Sequence, residues 1–196
     1  SFKSGNGFPE TIQGKEDGDF PFFKVSDTNS QGNEEFLIKS NNRVTDKDFE
    51  NYKWNLFDKN TIVFPKIGMA LLNNKRRLLN QPSFIDNNMM GFTTNSETDY
   101  KFSYYLLKLI DFKNFCSGGT IPSIGESQIS PIKVFLPPIL EQQQIVSFLD
   151  TKTSLIDSLI EKTEQKSRLL KERLLVSVEE VLLNKKVKRE RLKHVV

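Results

Sequence analysis

The chain has 196 residues, 37% of them hydrophobic and 27% charged, with a formal net charge of +3, one histidine and one cysteine. This supports one domain of about 130 to 140 residues with its own core plus an appendage, and excludes a pair of enzyme domains. Cys116 alone forms no internal disulfide, Cys116 with His194 is too little for a zinc site or a Cys–His catalytic pair, and no apolar run reaches the roughly 18 residues of a membrane span.

The start, Ser1-Phe2-Lys3-Ser4-Gly5, has neither the charged nor the apolar region of a signal peptide, so a cytoplasmic location is expected. Short β-branched or aromatic runs bounded by Gly, Pro, Asn or Asp predict strands at Glu35-Phe36-Leu37-Ile38, Thr61-Ile62-Val63-Phe64, Ser83-Phe84-Ile85 and Ile132-Lys133-Val134-Phe135-Leu136. A short helix is expected from Thr45 to Tyr52. A longer one is expected between Asp99 and Phe112, where Phe102, Tyr105, Leu106, Leu109 and Ile110 recur at helical spacing after a Ser96-x-x-Asp99 capping signal. Gly118-Gly119-Thr120-Ile121-Pro122 reads as a turn before the last strand, without the Lys of a phosphate-binding loop. Fifteen of the sixteen Phe precede residue 137 and are expected to build the core, and Cys116 is read as a small buried hydrophobe.

Every Gly and Pro precedes residue 139. After Pro137-Pro138 the pattern becomes helical: Ile145, Leu149, Ile156, Ile160, Leu170, Leu174, Val178 and Leu182 line one face, widened by Phe148, Leu155, Leu159 and Val181. An unbroken helix from Glu141 to about Leu183 would span on the order of 65 Å, more than its own domain can cover, so its stripe calls for a helix from elsewhere. The alternative is a hairpin turning at Thr163 to Ser167, where the stripe becomes polar. The fold class expected is α+β: a compact mixed domain over 1–139 with short twisted strands, a long helix over 140–185 that pairs as an antiparallel coiled coil, and a basic tail over 186–196.

Charge is balanced in the first part, with 16 basic and 16 acidic residues over 1–139, and the excess lies in 140–196, with 12 against 9. Bulk charge therefore does not announce nucleic-acid binding. Lys75-Arg76-Arg77, with Lys66 upstream, is a local basic cluster or a solvated loop.

The run Pro137-Pro138-Ile139-Leu140-Glu141-Gln142, followed by Ile145, Leu149-Asp150, Lys152-Thr153, Ile156-Asp157, Leu159-Ile160 and Leu170-Lys171-Glu172-Arg173, resembles the conserved region of the specificity (HsdS) subunits of type I restriction-modification enzymes. Upstream, Phe20-Pro21-Phe22-Phe23-Lys24-Val25-Ser26-Asp27, Thr61-Ile62-Val63-Phe64-Pro65-Lys66-Ile67-Gly68, Tyr104-Tyr105-Leu106-Leu107, Ser117-Gly118-Gly119-Thr120 and Ile132-Lys133-Val134-Phe135-Leu136-Pro137 resemble a target recognition domain of that family. One departure is the stretch Arg191-Leu192-Lys193-His194-Val195-Val196, which in the family opens a recognition domain and here stands last. The chain thus resembles one recognition domain plus one conserved helix, a half-subunit cut from a longer chain or arranged in permuted order.

The resemblance implies sequence-specific recognition of double-stranded DNA without catalysis, with Lys24, Ser26, Lys66, Lys75, Arg76, Arg77, Ser117, Gly118, Gly119 and Thr120 as DNA-contacting candidates. It implies that the long helix sets the spacing of two half-sites, pairs in a homodimer, and docks modification methyltransferase subunits, which bind S-adenosylmethionine; it leaves open a restriction subunit as a further partner. No cofactor or metal is expected on the chain itself. The sequence has no Asn-Pro-Pro-Tyr or Asp-Pro-Pro-Tyr motif to hold a flipped base. Two rival readings stay open: a metal-dependent nuclease using Asp17 with Asp19 or Glu34 with Glu35, and a non-catalytic coiled-coil scaffold.

Overall fold

The computed structural model describes residues 1–184; the basic tail expected over 186–196 lies outside them. Eight strands form: β1 Phe2–Ser4, β2 Phe20–Phe23, β3 Phe36–Leu37, β4 Arg43–Val44, β5 Ile62–Pro65, β6 Arg77–Leu79, β7 Phe84–Ile85 and β8 Met89–Phe92. The helices are α1 Asp46–Tyr52, α2 Met69–Leu72, α3 Tyr100–Leu109, α4 Glu126–Ile129 and α5 Ile139–Asn184. By contacts the chain divides into two compact units between Val146 and Ser147.

The first unit holds two mixed sheets, one of five strands in the order β1-β8-β5-β6-β3 and one of three in the order β4-β2-β7. β5 lies at the centre of the larger sheet, and its period-two alternation serves two cores. Ile62 and Phe64 face a cluster with Leu78, Met90, Tyr104, Leu107 and Phe112, under α3. Val63 faces a second cluster, shared between the sheets, with Phe23, Leu37, Leu79, Ile85 and Met89. β2 splits in the same way, sending Phe23 between the sheets and Phe22 outward to Val44, Trp54 and Phe84. Continuous apolar runs thus become strands buried on both faces.

The caps carry one correction. Thr45 caps α1 by accepting from the Asp48 N–H, and Asp48 reaches back to the Thr45 N–H and hydroxyl. For α3 the cap is Asp99 itself, which accepts from the Phe102 N–H at 2.9 Å; Ser96 is not the cap. A second correction concerns Ile132–Leu136, which forms no strand. Ile132 packs beside the α3 cluster, while Val134, Phe135 and Leu136 are exposed. Ile132, Val134 and Leu136 line a hollow with Leu106, Leu107 and Ile110 of the α3 segment and with Phe2 and Phe92, and the segment makes no ladder pairing.

α5 is one helix of 46 residues, about 69 Å at 1.5 Å per residue. The hairpin alternative is not adopted: Thr163 to Ser167 continues the helix, because that stretch contains neither Gly nor Pro and its polar side chains meet solvent. The start of α5 explains the Pro-Pro-x-x-Glu-Gln run physically. Gln142 is buried and donates to the Pro137 carbonyl at 2.8 Å and the Glu97 carbonyl at 3.3 Å, while its Oε1 accepts from the Asp99 N–H at 2.9 Å. One side chain therefore ties the first turn of α5 to the N-cap of α3.

Candidate nucleic-acid interface

β2, β5 and β7 end, and β6 and β8 begin, at one end of the two sheets. The loops at this end gather residues far apart in sequence. Lys66 follows β5; its N–H donates to the Asn88 carbonyl in the β7–β8 turn, and its own carbonyl accepts from Ile124. Gly68 has φ of 74°, a left-handed conformation that favours glycine, and donates to the Pro122 carbonyl at 2.8 Å. Ile67 bridges to Ser123. Ser117 closes the base of its loop onto Ser123, backbone to backbone at 2.9 Å and hydroxyl to hydroxyl at 2.8 Å. Ser117, Gly118, Gly119 and Thr120, all exposed, thereby sit beside the Lys66–Gly68 turn.

The N-terminal segment joins the same end. Gly5 donates to the Met89 carbonyl, and a Cβ on it would lie 2.1 Å from the Asp86 carbonyl oxygen, so only glycine lets the chain pass. The Lys66 ammonium donates to the Ser4 hydroxyl at 2.8 Å. Lys24 opens the turn after β2. Its N–H is held by the Asp27 carboxylate at 2.7 Å, and its ammonium donates to Gln13 at 2.6 Å and lies over the Phe8 ring. Burial pushes the Asp27 pKa up, opposed by the Lys24 N–H and its charge. Ser26 on this turn is exposed. Lys75 bonds the Asn29 amide oxygen from the other side. Lys24, Ser26, Lys66, Lys75 and the Ser117–Thr120 loop thus belong to one surface of connected loops.

Arg76 is a correction. It is 1% exposed, with its guanidinium 3.8 Å from the Phe112 centroid and 5.0 Å from that of Phe64. It donates to Asn74 Oδ1 at 2.7 Å and to the Ile110 and Lys75 carbonyls. Burial pushes its pKa down to about 10, with Asp111 opposing, so it remains a cation at neutral pH. A guanidinium buried against this edge-to-face ring pair cannot reach a phosphate; Arg76 is an internal brace. Arg77 is half-buried and spends its terminal nitrogens on the Arg76 and Thr28 carbonyls at 2.9 and 2.8 Å. It ties β6 to the turn after β2, so of the basic triplet Lys75 alone presents an ammonium near the surface.

Asn87 and Asn88, which no sequence motif singles out, are exposed in the Asp86-Asn87-Asn88 turn, where the Asp86 carboxylate accepts from the Asn88 N–H at 2.7 Å. Asp and Asn between two apolar pairs are a turn signal, but their arrival beside Lys66 depends on β8 pairing with β5. The acidic pairs of the nuclease reading are engaged separately: Glu34 accepts from the Gly32 N–H, which lowers its pKa, Glu35 pairs with Lys101, and Asp19 accepts from the Asp46 N–H. Among the described residues, no group of three His, Cys, Asp or Glu gathers to hold a metal, and no helix is long and apolar enough to cross a membrane.

The first unit is thus a two-sheet α+β domain with its loops gathered at one end, and the chain continues into one long helix. The sequence profile of the family described as Type I restriction modification DNA specificity domain matches residues 2–168, and the chain belongs to that family. It is similar to a putative type I restriction enzyme specificity subunit of Haemophilus influenzae, 26% identical over 152 residues, covering 74% of this chain and 36% of that protein. Among solved structures, it resembles the S subunit of the type I restriction-modification system of M. genitalium, at 22% identity and a TM-score of 0.55, over 94% of this chain and 45% of that one. The HsdS subunit of Thermoanaerobacter tengcongensis matches at 13% identity and a TM-score of 0.59, over 81% and 36%. A chain from a structure on complex assembly of the type I R-M system matches at 15% identity and a TM-score of 0.65, over 94% and 42%. The chain thus spans less than half the length of these relatives, and the structural likenesses speak for the fold.

Proposed function

We propose that this chain is a DNA-reading component of a type I restriction-modification methyltransferase complex, contributing one recognition domain to a bipartite site. The observation that carries the reading is the gathering of Lys24, Lys66, Lys75 and the Ser117–Thr120 loop at one end of the sheets, in a chain of the specificity family. Lysines fix register on phosphates, whereas exposed hydroxyls, amides and loop backbone read base edges in the major groove. Ser26, Asn87, Asn88 and Thr120 supply such groups. Local clustering allows this although residues 1–139 carry no net charge.

In this reading α5 is a spacer that pairs with a second such helix, sets the distance between two recognition domains and docks the modification methyltransferase subunits. S-adenosylmethionine and the catalytic groups belong to those subunits, and a restriction subunit completes a cleaving complex. The chain itself is non-catalytic and acts in the cytoplasm. A homodimer reads a symmetric site, because two-fold protein symmetry is mirrored in the target.

The test is methylome sequencing of cells carrying the chain with and without its methyltransferase subunit. A bipartite methylated motif that appears only with both supports the reading; methylation unchanged by the chain overturns it.

A further inference from the structure

The loop surface that carries Lys66 and Ser117–Thr120 also carries apolar side chains. Ile67, Met69 and Ile121 are 37%, 73% and 64% exposed. Backbone pairing between two distant segments brings them together: Ile67 bridges Ser123, Gly68 donates to the Pro122 carbonyl at 2.8 Å, and Ile124 donates to the Lys66 carbonyl at 2.9 Å. Met69 and Ile121 therefore flank the Gly68–Pro122 bond. None of the three belongs to a buried cluster. The polar groups around them are spent on one another, since the Lys66 ammonium donates to the Ser4 hydroxyl and the Ser117 and Ser123 hydroxyls bond each other. What this turn offers a ligand is thus apolar surface beside a positive charge.

Single exposed apolar side chains are ordinary, but these converge on one lysine-bearing turn. They are too few for a protein partner, which covers about 800 Å² on each side of a stable interface. Charge complementarity instead favours an apolar group carried by a polyanion. On the base edges of the major groove that group is the C5 methyl of thymine. We propose that Met69 and Ile121, with Ile67, read thymine in the target half-site by contact with this methyl. The inference rests on the DNA-reading role proposed above and deepens it by naming the base and the chemistry of its recognition. Met69 adds an unbranched, adaptable side chain to the contact. Cytosine offers no methyl there, and a purine sets N7 and its exocyclic group against side chains that return no hydrogen bond, leaving those groups desolvated and unpaired.

The test uses the full chain in complex with its methyltransferase subunit and synthetic duplexes of the motif found by methylome sequencing, with each thymine replaced in turn by uracil, which lacks only the methyl. Uracil within the half-site should weaken binding about fourfold per lost contact, the equivalent of about 0.8 kcal/mol for one buried CH₂. Ile121→Ser or Met69→Ser should weaken binding to the thymine duplex and lose the response to uracil at that position. A half-site without an A·T pair, binding indifferent to uracil at every position, or a uracil response that both variants retain overturns the inference. Variants that no longer assemble with the methyltransferase subunit overturn it too, and assign the patch to a protein contact. A motif that forms without uracil sensitivity sinks this inference alone, whereas the absence of any motif sinks the DNA-reading role with it.

Discussion

Arg76 and Lys75 are neighbours in sequence with opposite fates, and each fate has a measurable consequence. Arg76 packs against the Phe64–Phe112 ring pair and satisfies Asn74 and the Ile110 carbonyl. Arg76→Ala leaves a cavity and unpaired polar groups, so it should cost on the order of 3 kcal/mol, seen as a lower urea midpoint. Lys75 is partly exposed and holds one amide oxygen, so Lys75→Ala should leave stability within about 0.5 kcal/mol. In the methyltransferase complex it should weaken DNA binding and lower the slope of log affinity against log salt by about 1. Three consecutive basic residues give no periodicity that separates a brace from a contact. The distinction comes from the segment that leads into β6, which turns Arg76 onto Phe64 and Phe112 and leaves Lys75 beside Asn29.

At the scale of elements, helix positions were legible because their periodicity is local. The Asp48 carboxylate is held below the ordinary range by hydrogen bonds from the Thr45 N–H and hydroxyl. Its folded pKa is depressed, so its contribution to α1 is present above the unfolded value and is lost as pH falls through the folded one. Protection factors of the amides over Asp46–Tyr52, corrected for the intrinsic pH dependence of exchange, should fall in that acid window and stay level above it. Gln142→Ala removes a buried side chain with three hydrogen bonds and should cost about 1–3 kcal/mol, with faster exchange at the Asp99 N–H. The extended run Ile132–Leu136 misled the sequence reading because β-propensity states what fits a pleated surface, not whether an edge is within reach.

At the scale of the molecule, α5 leaves many large apolar side chains exposed, among them Phe148, Leu155, Leu159, Leu169, Leu175 and Val178. Such a face normally marks an interface. Replacing Ile156 and Ile160 by Asp should abolish dimerisation in sedimentation while leaving the near-ultraviolet signal of Trp54 intact, because neither side chain contributes to the buried core.

The sequence by itself determined α5, its start after Pro137-Pro138, the presence of α1 and α3, and the apolar runs of β3, β5 and β7. These follow from backbone restrictions and periodicity within a few residues. Only the tertiary structure decided which basic residues face outward, that Ile132–Leu136 joins no sheet, and that Lys66, Asn88 and the Ser117–Thr120 loop share one end. Those outcomes depend on strand order and on pairing between β5 and β8, whose partners are set by burial on both faces and not by any local signal.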